Sequence, residues 1–545
     1  MALAAIACTA SPAAARITGL DPARAYVEAR AAAMNGDHAR SAELLATIAR
    51  AAPGESDIAR KALGEALGAG RVDLALKLAR SNPPSKLASD ARLLLVADEL
   101  RRRRTDHALA WLRVTGDNGD LSFLEPLVTA WTTAERGDLN GALAIIDQVP
   151  VNSLLGPLRA EQRAYILLKF RRSADAEPFA RRAIGVSGAR EGRIRVALAD
   201  GFLAAGDRAR AMVMVEGPNS AAATVRARIA AGRGANQQVD TLAEALSETL
   251  TAFGGDLARL QRGAVPVGLV QVARYANPAN SSATALLAML LEAQDRSEEA
   301  LALLRSVPGD DPLIAQVRDI QVKILNDNKR FTDAYAVAAA AAAAPGASPG
   351  DFSRLGDVYS AMDRHGQAAE AYGRAVAAER AQGPNSELWT LLLLHASALE
   401  EANRWPEAKR ALEEGLKIAP EQPLLLNFLG YAKLERQEDI DSAEAMIRKA
   451  SELAPDDASI TDSLGWAEYK RGKLDDAIAT LRRAAEKDPA QAEIHEHLGD
   501  ALYKSGRRFE ARFAWSAALL TAEAEIAARV TAKLANGMSE ANAAP

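Results

Sequence analysis

From Phe352 to Leu519 the apolar positions fall at helical spacing, in paired stripes separated by short polar turns. Phe352, Leu355, Gly356 and Tyr359 share one face of a first predicted helix, and Ala368, Tyr372 and Ala375 share one face of a second. The pattern then recurs. Leu429-Gly430, Leu464-Gly465 and Leu498-Gly499 keep a period of about 34–35 residues, as do Ala443, Ala477 and Ala511, and Pro420, Pro455 and Pro489. A fixed period of that length predicts stacked helical hairpins, each burying its apolar face only against its neighbours. Such a chain offers a long open surface in place of a catalytic pocket.

The residue types fit that geometry. A glycine in the first helix and an alanine in the second let the two backbones cross closely, while the larger apolar residues fill the space on either side. The proline lacks a backbone donor and ends the second helix. In Thr480-Leu481-Arg482-Arg483 the apolar side faces in and the charge faces out.

Weaker units extend toward the N-terminus, including Tyr26, Ala29, Ala33 and Ala42, the segment Leu127 to Ile146, and Leu198, Phe202, Gly206 and Ala211. Their turns repeat as Asn35-Gly36-Asp37, Gly137-Asp138 and Gly206-Asp207. The expected organisation is a signal-like or disordered segment 1–20, a degenerate array 21–217, an irregular helical junction 218–279, a C-terminal array 280–520, a capping helix 521–536 and a disordered tail 537–545. Inside the junction, Val239 to Phe253 reads as an amphipathic helix broken by Gly254-Gly255. Asp256 to Tyr275 reads as a second helix interrupted at Pro266.

Composition narrows the function classes. The chain has 545 residues, a quarter of them charged, with net charge -5, and so lacks the basic bias of a nucleic-acid binder. Its one basic run, Arg101 to Arg104, reads as a solvated helix end. A single cysteine, Cys8, excludes disulfides within the chain and thiol-rich metal sites. The longest apolar run, Ala336 to Ala344, is too short to span a membrane and stops at Pro345.

Met1 to Ala15 is small and apolar and ends in Ser-Pro-Ala-Ala-Ala before Arg16, which reads as the end of a secretory signal. The charged leader that precedes such a segment is expected upstream of Met1. Ala5-Ile6-Ala7-Cys8 matches the lipid-attachment box in which the cysteine is acylated, so membrane attachment is expected only through that anchor. The alternative is an Ala-rich N-terminus of a cytosolic protein.

The spacing Φ-x2-L-G-x2-Y followed by alanine is the tetratricopeptide repeat (TPR) pattern. The strings Leu426-Asn-Phe-Leu-Gly-Tyr431, Asp462-Ser-Leu-Gly-Trp466, His497-Leu-Gly-Asp500 and Phe509-Glu-Ala-Arg-Phe-Ala-Trp515 resemble the exported TPR lipoproteins of Gram-negative bacteria. The fold expected is all-α, a right-handed TPR superhelix (α-solenoid) of about thirteen helical hairpins. The resemblance implies a non-enzymatic adaptor in the periplasm or at the outer membrane, with a periplasmic C-terminal processing protease as partner. A cytosolic TPR scaffold, or the regulatory subunit of an enzyme, stands as the alternative.

In such arrays the first helices line the concave face, which places Asn427, Tyr431, Asp462, Trp466, Tyr469, Lys470, Glu496, Asp500, Tyr503 and Lys504 toward a bound peptide or protein. Rings supply contact area, and short polar groups supply hydrogen bonds to a ligand backbone. For Trp466 and Tyr469 the other reading is packing between repeats. No phosphate-cradling loop, nucleophile elbow or His-Glu-x-x-His occurs, so neither catalysis nor a cofactor is expected. His495 and His497 lie two apart on a helix, on different faces, and are not expected to share a metal.

Overall fold

A computed structural model describes residues 21–52, 56–114, 119–216, 220–260, 266–344, 346–383, 385–539 and 541–544. Cys8, and with it the whole 1–20 segment, lies outside them. The described residues form α-helices and short 3-10 turns, without strands. The fold is an all-α solenoid of consecutive hairpins. Two compact units divide it, residues 1–329 and 330–545. That division falls after Lys329, so the segment 218–279 lies inside the first unit.

In the first unit α1 (Pro22–Met34) pairs with α2 (His38–Ala51), α3 (Ser56–Gly68) with α4 (Val72–Arg80), and α5 (Ser89–Arg101) with α6 (Thr105–Leu112). Next come α7 (Glu125–Glu135) with α8 (Leu139–Gln148), α9 (Arg159–Lys169) with α10 (Ser173–Val186), and α11 (Glu191–Ala204) with α12 (Arg208–Met214). Then α13 (Ser220–Ala230) precedes the pair α14 (Leu242–Leu260) and α15 (Val267–Ala276). The pair α16 (Ser281–Glu292) and α17 (Ser297–Arg305) and the helix α18 (Ile314–Asp327) complete it.

The second unit opens with α19 (Phe331–Ala343), packed on α20 (Pro349–Ala361), which pairs with α21 (His365–Ala381). The regular hairpins follow: α22 (Leu388–Glu401) with α23 (Trp405–Ile418), α24 (Pro423–Glu435) with α25 (Ile440–Leu453), and α26 (Ala458–Lys470) with α27 (Leu474–Lys487). Last come α28 (Ala492–Lys504) with α29 (Arg508–Ala518), and then α30 (Ala524–Asn536).

The small-residue positions sit at the helix crossings. Ala408, Ala443, Ala477 and Ala511 are fully buried. A Cβ placed on Gly465 would lie 2.6 Å from Leu481, and one on Gly499 would lie 2.3 Å from the Trp515 ring. The turn between paired helices also repeats, with one residue in the left-handed region: Gly472 at φ 75° and Gly506 at φ 87°, but Arg103 at 58° and Arg171 at 56°. Where glycine supplies that conformation the turn is readable in sequence, and where arginine does it is not.

The stretch read as an irregular junction folds as a regular hairpin turned across the first unit. Its helices α14 and α15 pack on α3, α5 and α7, the first helices of earlier hairpins. Gly254-Gly255 does not break α14, which runs on to Leu260. Gly254 instead marks a close approach, since a Cβ there would lie 2.5 Å from Val270 of α15. Polar contacts fix the crossing. The Arg193 Nη2 of α11 donates to Glu248 Oε1 of α14 at 2.7 Å, both side chains being buried. Asn280 Nδ2 donates to the same Oε1 at 3.1 Å. Tyr275 of α15 donates its hydroxyl to Asp98 of α5 at 2.8 Å. The inner side of α3, α5 and α7 is therefore occupied by the chain itself.

Because the Trp515 ring leaves no room at the last crossing, Gly499→Ala is expected to destabilise the second unit by about 1–3 kcal/mol. Denaturant unfolding followed by Trp fluorescence measures it, and an unchanged midpoint would mean that the crossing tolerates a Cβ.

Candidate functional site

The first helices α24, α26 and α28 lie side by side and carry all ten candidate residues. At their centre is a stack of three rings. Trp466 lies 4.5 Å from Tyr469 at an interplanar angle of 13°, and 4.1 Å from the His497 imidazole at 15°. The Trp466 indole donates to Glu435 Oε1 at 3.3 Å. Lysines cover the stack. Lys470 Nζ sits 5.1 Å above Trp466, and Lys504 Nζ 4.4 Å above Tyr469, both in cation–π geometry.

Five of the ten are buried in contacts with the chain itself, which corrects the reading of a fully open row. Trp466 and Tyr469 pack between repeats. Asp462 faces His497, its carboxylate 2.9 Å from Nδ1. Glu496 and Asp500 belong to the C-terminal closure. Lys533 of α30, itself fully buried, donates to Glu496 Oε1 and Asp500 Oδ2 at 2.7 Å each. Arg529 holds Glu496 through two bonds at 2.9 and 3.1 Å. Asp500 also accepts from the Trp515 indole and from the backbone N–H of Ala544, both at 2.9 Å. The stretch read as a disordered tail is thus where Ala544 folds back against Asp500. The physical reason is charge balance: two buried carboxylates meet two cations brought in by the last helix.

The other five keep contact with solvent. Lys470 and Lys504 are exposed, and Asn427, Tyr431 and Tyr503 are half-buried. The Asn427 Oδ1 atom is buried and makes no hydrogen bond. His497 was not among the candidates, yet it joins α28 to α26. Its signal in sequence was its place one residue before Leu498-Gly499, on the side that meets the preceding repeat. His495 points away, to the Pro489 carbonyl at 3.0 Å.

Burial tunes the acid–base groups. For Tyr469, burial and the Asp500 charge push the phenol up to about 12. For Tyr431, burial, with Glu435, Glu493 and Asp462 nearby, also pushes it up. Both phenols stay protonated donors at neutral pH. Burial disfavours the charged His497 imidazole, but Asp462, by its charge and hydrogen bond, outweighs this, with help from Glu493 and Asp500, and raises its pKa. Burial would raise Glu496, but hydrogen bonds from Arg529 and Lys533 outweigh it and hold the carboxyl below its usual range. Among the described residues no group of three or more metal-ligating side chains gathers.

Known proteins share these repeats. Residues 465–506 match the TPR repeat model and residues 393–458 the tetratricopeptide repeat model. Tetratricopeptide repeats are thus present between residues 393 and 506. It is 30% identical over 189 residues to the TPR repeat-containing protein PA4667 of Pseudomonas aeruginosa, a match covering 34% of this chain and 31% of that protein. The match thus spans about a third of the relative's length. Among solved structures, the Cut9 and Hcn1 hetero-tetramer of the APC/C matches at 14% identity over 95% of this chain and 97% of its own, with TM-score 0.37. TTC0263, a thermophilic TPR protein of Thermus thermophilus, matches at 20% identity over 34% of this chain and 100% of its own, with TM-score 0.31. YrrB, a TPR protein with an unusual peptide-binding site, matches at 20% identity over 33% of this chain and 90% of its own, with TM-score 0.26.

Two outcomes follow from the electrostatics. Lys533→Met leaves Glu496 and Asp500 buried without their shared cation, and is expected to cost the second unit about 3–5 kcal/mol in denaturant melts. A loss near zero would mean that the carboxylates are not held by Lys533. The raised His497 pKa gives stability that is fully present below the unfolded value, about 6.5, and fades as pH rises through the folded value. Wild type is therefore expected to lose more stability between pH 5.5 and pH 9 than His497→Gln, and equal losses would contradict the Asp462 pairing.

Proposed function

We propose that this chain is a non-catalytic scaffold that receives a segment of a partner protein along the inner face of α24, α26 and α28. One observation carries the reading: the buried Asn427 Oδ1 has no hydrogen-bond partner and lies one turn from the half-open Tyr431. A backbone N–H of a bound segment would satisfy that acceptor. The exposed Lys470 and Lys504, held above the ring stack, would meet acidic side chains or carbonyls of the same segment.

The resemblance of the C-terminal repeats to exported TPR lipoproteins extends the proposal. The chain would be exported, anchored through an acylated Cys8, and would present substrates to a periplasmic C-terminal processing protease. The half-buried Tyr431 and Tyr503 and the exposed lysines would suit such an adaptor, because rings and cations can hold extended chain without committing to one sequence.

Crosslinking pull-downs from native extract, made with the parent, with Asn427→Ala and with Lys470→Glu/Lys504→Glu, test the surface. The variants are expected to recover specific partners about tenfold less well at unchanged unfolding midpoints. Identical recoveries would remove the inner face from consideration. Cell fractionation with intact-mass analysis tests export: a diacylated N-terminal Cys8 in the envelope fraction is expected. An uncleaved chain in the cytosol would favour the cytosolic scaffold.

A further inference from the structure

The outer side of α29 differs from that of every regular hairpin before it. Phe509, Phe513 and Leu520 are 75%, 64% and 84% exposed. Phe509 and Phe513 fall at i and i+4, one turn apart on one side of α29, and Leu520 follows in the turn just past its end at Ala518. The two phenyl rings touch edge to face, with centroids 4.9 Å apart. The opposite side of α29 is seated normally, with Ala511, Ala514, Trp515 and Ala518 buried.

Register shows that this row is not merely an end awaiting another repeat. The equivalent positions are Asp475, Ala479 and Glu486 on α27, and Asp441, Ala445 and Glu452 on α25. On α23 they are Pro406, Arg410 and Lys417. All are exposed although further repeats follow them. The position faces water throughout these hairpins, and only the last one fills it with large apolar side chains. Clustered exposed apolar surface of this kind marks an interaction site.

Charge defines the occupant. Arg508 and Arg512 flank the row on one side. Arg508 lies over the Tyr503 ring at 5.5 Å, and Arg512 donates to the Leu534 carbonyl at 2.6 Å. Neither forms an ion pair among the described residues, whereas the neighbouring Arg482 and Arg507 are both tied to Glu510. We propose that the outer face of α29 docks an amphipathic helix of a partner protein whose apolar row is bordered by acidic residues. An antiparallel pairing with a second copy about a two-fold axis would set these arginines against each other, which disfavours self-association. The surface is separate from the inner face, and Asn427→Ala should leave it intact.

The test uses the full chain and two fluorescein-labelled 18-residue helical peptides. Both carry Leu and Phe at i, i+4 and i+11, one with Glu and the other with Lys along one border. In fluorescence anisotropy the Glu peptide is expected to bind at least about tenfold tighter than the Lys peptide. Phe509→Ser/Phe513→Ser should abolish binding, and Arg508→Glu/Arg512→Glu should reverse the preference. Because the substituted residues are exposed, unfolding midpoints should not change. The proposal is overturned if the Glu peptide does not bind, or binds the serine variant equally well. It is also overturned if sedimentation shows a dimer that the serine variant loses, or if the chain floats with phosphatidylglycerol vesicles and the serine variant does not.

Discussion

Two helices can cross at backbone distance only where neither offers a large side chain, and that constraint organises the whole second unit. Gly465 against Leu481 and Gly499 against Trp515 are crossings with no space for a methyl group. The buried alanines Ala443, Ala477 and Ala511 serve the partner helices in the same role. Once the crossing is fixed, the large residues beside it have only one direction in which to pack, and the hairpin becomes a unit that can be stacked.

Stacking creates a problem at each end, and the last hairpin shows how it is solved. Glu496 and Asp500 occupy the register positions that hold Asp462 and Trp466 one repeat earlier, and the next helix in the chain sets their environment. α30 brings Lys533 and Arg529 onto them. The pairing closes the apolar face of α28 and fixes the orientation of α30. A polar seal of this kind works because every charge has its opposite within hydrogen-bond reach, so burial does not leave an isolated ion.

In the first unit the same requirement, that a row of first helices find a cover, is met differently. The hairpin α14–α15 crosses α3, α5 and α7 and fills their inner side, pinned by Arg193, Glu248 and Tyr275. Unit two keeps part of its inner face accessible at Asn427, Tyr431, Lys470 and Lys504. The two units thus differ on their inner sides: a hairpin of the chain itself fills that of α3, α5 and α7 in the first, and in the second Tyr431, Lys470 and Lys504 stay in contact with solvent above buried rings.

Local rules determined what the sequence alone could determine. The period, the Leu-Gly and Ala markers and the prolines place the helices of the second unit, because each depends on neighbours within one repeat. Arg103 and Arg171 hide their turns because only the folded backbone reveals a left-handed residue that is not glycine. Tertiary structure alone decided exposure. Trp515 and Phe513 are two residues apart, and one is buried while the other faces water. Glu496 and Asp500 look like free carboxylates until α30, more than thirty residues on, folds back onto them. Gly254 looks like a helix breaker until Val270 is seen against it. In each case the deciding partner is distant in sequence, and hydrophobic periodicity carries no information about which distant helix will arrive.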